Sequence, residues 1–403
     1  MKTHDEATRS QESVEPVEPA YYDDSATIYL ADCLTTLSRL PAESVHAVVT
    51  DPPYAIASNS AATDQFRSST TGTCTGCLTE PTVQGWELCA ACLETVQRQA
   101  LMGAPMLGMQ SANWHEKATH SRGYADNNNR DFQRWCELWT AECLRVLKPG
   151  GHFIAFGGTR TWHRLAIAAE DAGFTIRDSL AWLYGTGFPK SPDVGQAVDA
   201  LLAETGASGD PNSQFGLWTG WRTTLKPGFE PIVFARKPFD ETVAGNIVTN
   251  GTGALNIPGC TIADATDTAS PIGRWPTNVM LDLSQANALD RDAGEPVSRY
   301  FWVAKPTQGE RVVVDGISHP TVKPLTLMRQ LVKLVTHEGD TVLEPFAGSG
   351  TTVEACLLEK RKVIAIERDE AYLPLIKHRI DRRLDPLAAA RRNDAADVVD
   401  LFA

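Results

Sequence analysis

Leu343-Glu344-Pro345-Phe346-Ala347-Gly348-Ser349-Gly350-Thr351-Thr352 joins the short apolar run TVLEPF to a helix-forming stretch, and the next apolar run, KVIAIE, closes on Glu367. A turn built on Gly348 and Gly350 lets the backbone bend tightly and approach a ligand where a Cβ would collide. The helix that follows presents unpaired N–H groups. Glu367 lies 19 residues beyond Gly348, where a doubly wound α/β sheet places a carboxylate for ribose hydroxyls. No lysine precedes the Ser/Thr positions of the turn, which excludes the standard phosphate-binding loop, and a dinucleotide fits less well. A bare glycine turn also serves as an ordinary tight strand-to-helix connection. The carboxylate at 367 moves the reading toward a nucleoside-type ligand.

Upstream, the pattern alternates between strands and helices. ATIYLADC reads as a strand and turn, TTLSRLPAES as helical, and VHAVVT as a strand that ends at Asp51-Pro52-Pro53-Tyr54, where prolines stop further pairing. Residues Arg130 to Leu147 carry helical periodicity through Phe132, Trp135, Leu138, Trp139 and Leu144, and Lys148-Pro149-Gly150-Gly151 is expected to stop that helix. The buried strand HFIAFGG follows, then a helix at Trp162 to Ala172, a strand at SLAWLYG, a helix at Asp193 to Glu204 and a strand at PIVFARK. This alternation predicts parallel βαβ units. From Pro238 to Arg299 the periodicity dissolves, which marks a candidate recognition region. Order returns at FWVAK, at His319-Pro320-Thr321-Val322-Lys323-Pro324 and at the helix LTLMRQLVKLV.

Asp51-Pro52-Pro53-Tyr54 suits chemistry on an exocyclic amino group. Such a nitrogen is a poor nucleophile because its lone pair is conjugated with the ring, so acceptors must engage its hydrogens. Asp51 can accept one N–H and a carbonyl of Pro52-Pro53 the other; successive prolines offer C=O without a competing N–H and lock φ. Tyr54 can stack on a base turned out of a duplex. The plain alternative is a polar turn ending a strand.

Taken together and in this order, Asp51–Tyr54, His319–Pro324 and the glycine turn closely resemble the N4/N6 family of DNA amino-methyltransferases, in its circularly permuted beta-class arrangement. The resemblance covers roughly Ile28 to Arg379, leaving out the cysteine-bearing excursion. It implies an α/β, Rossmann-like fold for a methyltransferase that uses S-adenosylmethionine, with a mostly parallel sheet and helices on both faces. It implies S-adenosylmethionine at Phe346, Gly348, Gly350, Thr351 and Glu367, with Asp32 as a further contact and with Thr321 and Lys323 closing the pocket. Glu344, also expected on the cofactor side, stands where the family commonly has Asp, and Ala31 where it usually has Gly. Aspartate at the head of the tetrapeptide favours adenine N6 over cytosine N4. No Pro-Cys pair is present, so direct transfer without a covalent intermediate is expected. Gly157-Gly158-Thr159-Arg160, Tyr184 to Lys190 and Lys226 to Pro231 resemble members often found in phage genomes and are expected as walls of the target-base pocket. Cytosine-N4 methylation, RNA methylation, and a zinc-ribbon DNA-binding protein with an inactive methyltransferase body remain as alternatives.

Cys74-x2-Cys77 and Cys89-x2-Cys92, eleven residues apart, have the spacing of two knuckles that supply four thiolates to structural zinc. A redox disulfide or free thiols are the other readings. Nine cysteines and no export signal point to a reducing compartment, and the expected setting is the cytoplasm of a bacterial or phage-infected cell. No apolar run approaches the roughly 18 residues that span a bilayer. The net charge of −13 weighs against a nucleic-acid partner, because phosphate contacts need Lys and Arg; a local basic stripe is nevertheless enough for transient engagement of double-stranded DNA. No nuclease motif is present, which predicts a solitary methylase. The expected organisation is an acidic tail over 1–24, a catalytic domain over 25–385 and a fraying segment over 386–403. The catalytic domain is expected to hold a zinc-ribbon-like insertion at 69–96 and the candidate recognition region at 238–299.

Overall fold

The computed structural model describes residues 17–54, 129–185, 187, 193–204, 217–262, 273–305 and 310–382. The elements in chain order are β1 (Tyr21–Tyr22), β2 (Ala26–Leu30), α1 (Cys33–Leu37), β3 (Val45–Thr50), α2 (Asn129–Val146), β4 (Leu147–Phe156), α3 (Trp162–Asp171), β5 (Thr175–Leu183) and α4 (Val194–Glu204). They continue with β6 (Phe229–Arg236), α5 (Val243–Asn250), β7 (Val279–Asp282), α6 (Leu283–Ala293), β8 (Trp302–Ala304), β9 (Val313–Val314) and β10 (Ile317–Ser318). The last are α7 (Leu325–Val335), β11 (Thr341–Glu344), α8 (Thr351–Leu358), β12 (Lys362–Glu367) and α9 (Leu373–Arg382).

Ten strands form one sheet in the order β1-β2-β12-β11-β3-β4-β6-β5-β7-β8. Most neighbours are parallel, as the alternation predicted, but β6 runs antiparallel to both β4 and β5. Consequently β6 begins, at Phe229 and Glu230, on the edge where the parallel strands end. The described residues of the Pro238–Arg299 stretch, 238–262 and 273–299, are more ordered than the stretch's composition suggests. Thr242 and Gly251 cap α5, Asp282 and Gly294 cap α6, and β7 pairs with β5 and β8 inside the main sheet. Local caps supplied the order that periodicity did not show.

Helices cover both faces. On one, Ala47 and Val49 of β3 and Ile154 and Phe156 of β4 pack with Leu327, Met328, Leu331 and Val332 of α7. On the other, Val45 and Val48 join Phe153 and the α2 stripe Phe132, Trp135, Cys136, Trp139, Cys143 and Val146. The stripe follows helical spacing, and burying each of its larger side chains is worth about 1.5–3 kcal/mol relative to water. Val45 and Val48 share a face because the β3–β4 register shifts between Val45 and Ala47. α2 stops at Val146, and Lys148–Gly151 begin β4 rather than forming a loop.

α8 and α9 are joined by a buried ion group: Glu354 accepts from Arg379 Nη1 and Arg382 Nη2, each at 2.6 Å, and neither Glu354 nor Arg379 has any exposed surface. Removing one partner strands a buried charge. Glu354→Ala should therefore cost about 3–5 kcal/mol of stability in urea denaturation; a loss under about 1 kcal/mol, the range of an exposed pair, would show that Arg379 finds water.

Candidate active site

Because β2, β12, β11, β3 and β4 are parallel, their carboxyl ends share one edge, where an open α/β sheet binds its ligands. Two groups of predicted residues meet there. At the β11 turn, Gly348 and Gly350 have φ of +52° and +80°, conformations that favour glycine. A Cβ on Gly348 would approach the His319 ring to 3.1 Å, and one on Gly350 would come within 3.1 Å of the Ile376 backbone. Glu367 Oε2 accepts from Gly348 N at 2.7 Å, and Oε1 accepts from the N–H groups of Arg368 and Asp369. Burial raises the Glu367 pKa against the pull of those three donors. Leu30 is in register with Glu367, so Asp32, which caps α1 by accepting from Leu34 N and Thr35 N, emerges beside it. A half-buried carboxylate held by backbone donors beside a Cβ-free turn fits a nucleoside with its ribose hydroxyls.

Other predicted cofactor contacts are placed differently. The Phe346 ring packs on Trp135 and Trp139 of α2, with centroids 5.5 and 5.1 Å away. Thr351 is buried, its hydroxyl 3.2 Å from Ser349 Oγ. Thr321 is exposed, and its carbonyl lies 2.5 Å from His319 Nδ1; the His319 ring covers Gly348 and meets Tyr372 edge-on at 4.7 Å. Lys323, expected to close the cofactor pocket, reaches the other group instead. Its Nζ lies 2.6 Å from Asp51 Oδ2 and 3.2 Å from Glu230 Oε2, and 5.2 and 5.0 Å from the ring centroids of Tyr54 and Phe156. Burial alone would lower the Lys323 pKa, but the two carboxylates outweigh it and hold the ammonium above its ordinary value.

Asp51 directly follows β3, ahead of buried Pro52 and exposed Pro53. Tyr54 folds back so that its hydroxyl lies 2.7 Å from Asp51 Oδ1 and 2.9 Å from Glu230 Oε2; burial and both carboxylates push its pKa well up. Thr161, ahead of α3, donates to the Tyr54 carbonyl at 2.8 Å and fixes the loop. Glu230 and Thr161 are the site residues that sequence reasoning did not single out. Glu230 lay inside a stretch expected as a pocket wall, and its apposition to Tyr54 depends on β6 being antiparallel, which no motif signals. Cys74, Cys77, Cys89 and Cys92 lie outside the described residues.

The two groups are tied by Glu344, which is buried, not open to the cofactor side. It accepts from Thr50 next to Asp51, from Thr352 of α8 at 2.7 Å, and from Phe346 N at 3.0 Å. The fold and this edge define the class: an open α/β sheet with its candidate site at the carboxyl ends of the parallel strands. A family model described as DNA methylase, for the N6/N4 methyltransferases, matches residues 45–378, and the chain belongs to that family. It is 27% identical over 359 residues to the type II methyltransferase M.HindIII of Haemophilus influenzae, covering 88% of this chain and 94% of that protein. M.HpaI of Haemophilus parainfluenzae is 23% identical over 259 residues, 63% of this chain and 62% of that one. Among solved structures, the PvuII DNA methyltransferase (cytosine-N4-specific) aligns with a TM-score of 0.46 at 15% identity over 94% of this chain and 95% of its own. The protein is a DNA methyltransferase of the N6/N4 family.

Burial pushes the Glu344 carboxyl up to about 8 from its ordinary 4.5, against its three donors. Between pH 4.5 and about 8 the unfolded chain releases this proton while the fold keeps it, so the group's contribution to stability falls as pH rises through that window. Glu344→Gln has no proton to lose and should flatten that slope in urea unfolding followed over the same range. A variant with the wild-type slope would show Glu344 ionised in the fold.

Proposed function

We propose that the chain transfers a methyl group from S-adenosylmethionine to the exocyclic N6 of adenine in double-stranded DNA, acting directly on a base turned out of the helix. The observation that carries this reading is the Thr50–Glu344–Thr352 link, which seats the Asp51 loop beside the glycine turn. Asp51 accepts one amino hydrogen and a carbonyl of the Pro52-Pro53 pair the other, so the nitrogen lone pair is freed from the ring as bonding begins. Tyr54 sets one side of the base position, and Lys323 holds the Asp51 carboxylate in place. Glu367 accepts the ribose hydroxyls, the backbone at Gly348 and Gly350 admits the ligand closely, and Asp32 flanks it. When bound, S-adenosylmethionine supplies an electrophilic methyl group on a sulfonium. Adenine is favoured by the aspartate that opens Asp51–Tyr54. The order of motifs fits the circularly permuted arrangement, since β11 pairs with β3 although its Glu344 lies 294 residues beyond Thr50 of β3.

One experiment separates these parts: methyl-labelled S-adenosylmethionine, whole-genome-amplified DNA, digestion to nucleosides and identification of the product. N6-methyladenine is expected; N4-methylcytosine would reassign the target base, and no labelled nucleoside from DNA, with label entering RNA in a parallel reaction, would overturn the DNA reading. Asp51→Ala should abolish turnover with cofactor affinity nearly intact. Glu367→Ala should weaken cofactor binding by about 1.5–3 kcal/mol, measured by calorimetry; an unchanged affinity would remove Glu367 from the site.

Structural zinc at Cys74, Cys77, Cys89 and Cys92 belongs to the same proposal. Four thiolates fill a tetrahedral zinc and leave no open position, so the metal would hold the insertion's shape and take no part in transfer. The five described cysteines, Cys33, Cys136, Cys143, Cys260 and Cys356, are buried and free, and burial raises their pKa values. Among the described residues no other group of metal-binding side chains occurs. One zinc per chain is therefore expected by metal analysis under reducing conditions, released by Cys89→Ser while the core still binds cofactor. Absence of zinc, or disulfides among these four cysteines, would refute the site.

A further inference from the structure

Four side chains at the Asp51 loop form a closed ring. Asp51 Oδ1 lies 2.7 Å from Tyr54 Oη, Tyr54 Oη 2.9 Å from Glu230 Oε2, Glu230 Oε2 3.2 Å from Lys323 Nζ, and Lys323 Nζ 2.6 Å from Asp51 Oδ2. A phenol carries one hydrogen. Two carboxylate oxygens nevertheless lie within hydrogen-bond reach of the Tyr54 oxygen, so with both carboxylates ionised one of those contacts has no proton in it. The ring is fully hydrogen-bonded only when it holds one proton more, on Asp51 or on Glu230. Its charge says the same: two carboxylates against one ammonium leave one net negative charge in a largely enclosed place, which a single proton cancels.

Methylation of an amino group releases one proton. We propose that Glu230 is the terminal acceptor of that proton, which reaches it from Asp51 through the hydroxyl of Tyr54. The inference rests on the reading of Asp51 as the acceptor for the target amine. The nitrogen uses its lone pair for the new N–C bond as the donor's methyl–sulfur bond breaks and its electron pair stays on sulfur; the N–H bond then breaks, its pair returns to nitrogen and the proton passes to Asp51. Asp51 hands a proton to Tyr54 Oη as the Tyr54 hydroxyl proton moves to Glu230 Oε2. Tyr54 ends as it began, Asp51 is again a carboxylate paired with Lys323, and Glu230 is neutral. No electron acceptor is needed. Glu230 keeps 18% of its side chain exposed and Asp51 22%; in the proposed complex the target amine sits on Asp51, which leaves Glu230 as the acid that can return the proton to water. Among the described residues the other ionisable groups near the ring are Tyr184, which feels Glu230 from just after β5, and His319 and Glu344, which feel Asp51. Glu230 thus acts through Tyr54 as a relay and positioning residue.

The test uses the full chain in excess over whole-genome-amplified DNA, so that a single turnover is read, for wild type, Glu230→Gln, Glu230→Asp, Tyr54→Phe and the double variant Glu230→Gln/Tyr54→Phe. Glu230→Gln should slow transfer on the order of 10-fold or more at neutral pH, with cofactor affinity unchanged. Raising the pH or adding formate as an outside base should recover part of the loss. Glu230→Asp should restore part of the rate and the wild-type form of the pH profile. Tyr54→Phe should lose a similar factor, and the double variant no more than either single one, because both interrupt one path. Infrared difference spectra between acid and neutral pH supply a second readout: a protonated-carboxyl band present in wild type should be missing from Glu230→Gln. A wild-type rate in Glu230→Gln, losses that multiply in the double variant, or a loss insensitive to pH and formate would each overturn the relay. If wild type itself methylates no DNA, the reading of the function fails; if wild type methylates and Glu230→Gln keeps pace with it, only the relay fails.

Discussion

The Glu344 carboxyl is the point on which the rest of the edge depends. It accepts from Thr50, 294 residues away in the chain, and from Thr352 and the backbone of Phe346. Those partners belong to β3, to the helix after the glycine turn and to the turn itself, so one buried group fixes the separation of the Asp51 loop from the glycine turn. Burying a carboxyl costs several kcal/mol unless its hydrogen-bonding capacity is met. With the proton retained the charge is gone, and one threonine hydroxyl accepts from the acid O–H while the other and Phe346 N donate. A side chain one methylene shorter would reach fewer of these partners from the same backbone, which gives a physical reason for glutamate at a position where the motif resemblance led to an expectation of aspartate.

A second constraint is electrostatic. A lone carboxylate facing a cationic group would bind it tightly but would also bind solvent cations. Lys323, between Asp51 and Glu230 and against the faces of Tyr54 and Phe156, lowers the excess charge and holds both acids in one geometry. Preorganised charge of this kind needs no rearrangement when the reacting nitrogen becomes positive. The antiparallel course of β6 is what makes the arrangement possible, because it delivers the start of a strand to an edge otherwise made of strand ends.

The sheet's parallel half could be read from the alternation of apolar runs and helical stripes, and the site edge from Asp51–Tyr54, Gly348–Gly350 and Glu367, since their chemistry depends on residue type and local spacing. Three things were not legible. The direction of β6 depends on pairing between distant strands, so Glu230 looked like a wall residue. The order of 238–299 rests on caps at Thr242, Gly251, Asp282 and Gly294, around segments too short for periodicity. Lys323 and Thr321 are two residues apart in one motif yet serve different neighbours, because Lys323 is buried toward Asp51 and Thr321 is exposed.

β2 and β3 follow one another in the chain but are not paired; β12 and β11 lie between them. Until residues 341–367 are made, a growing chain therefore carries a gap two strands wide in the middle of its sheet. The edges of β2 and β3 are then open to pairing with other chains, a hazard that natural sheets ordinarily cover. Closing the gap is a late, long-range event, and contacts of such sequence separation are slow to form. The glycine turn arrives in the same segment that closes the sheet, so a nascent or truncated chain has neither a finished sheet nor a cofactor site. The segment that completes the sheet thus also completes the candidate site.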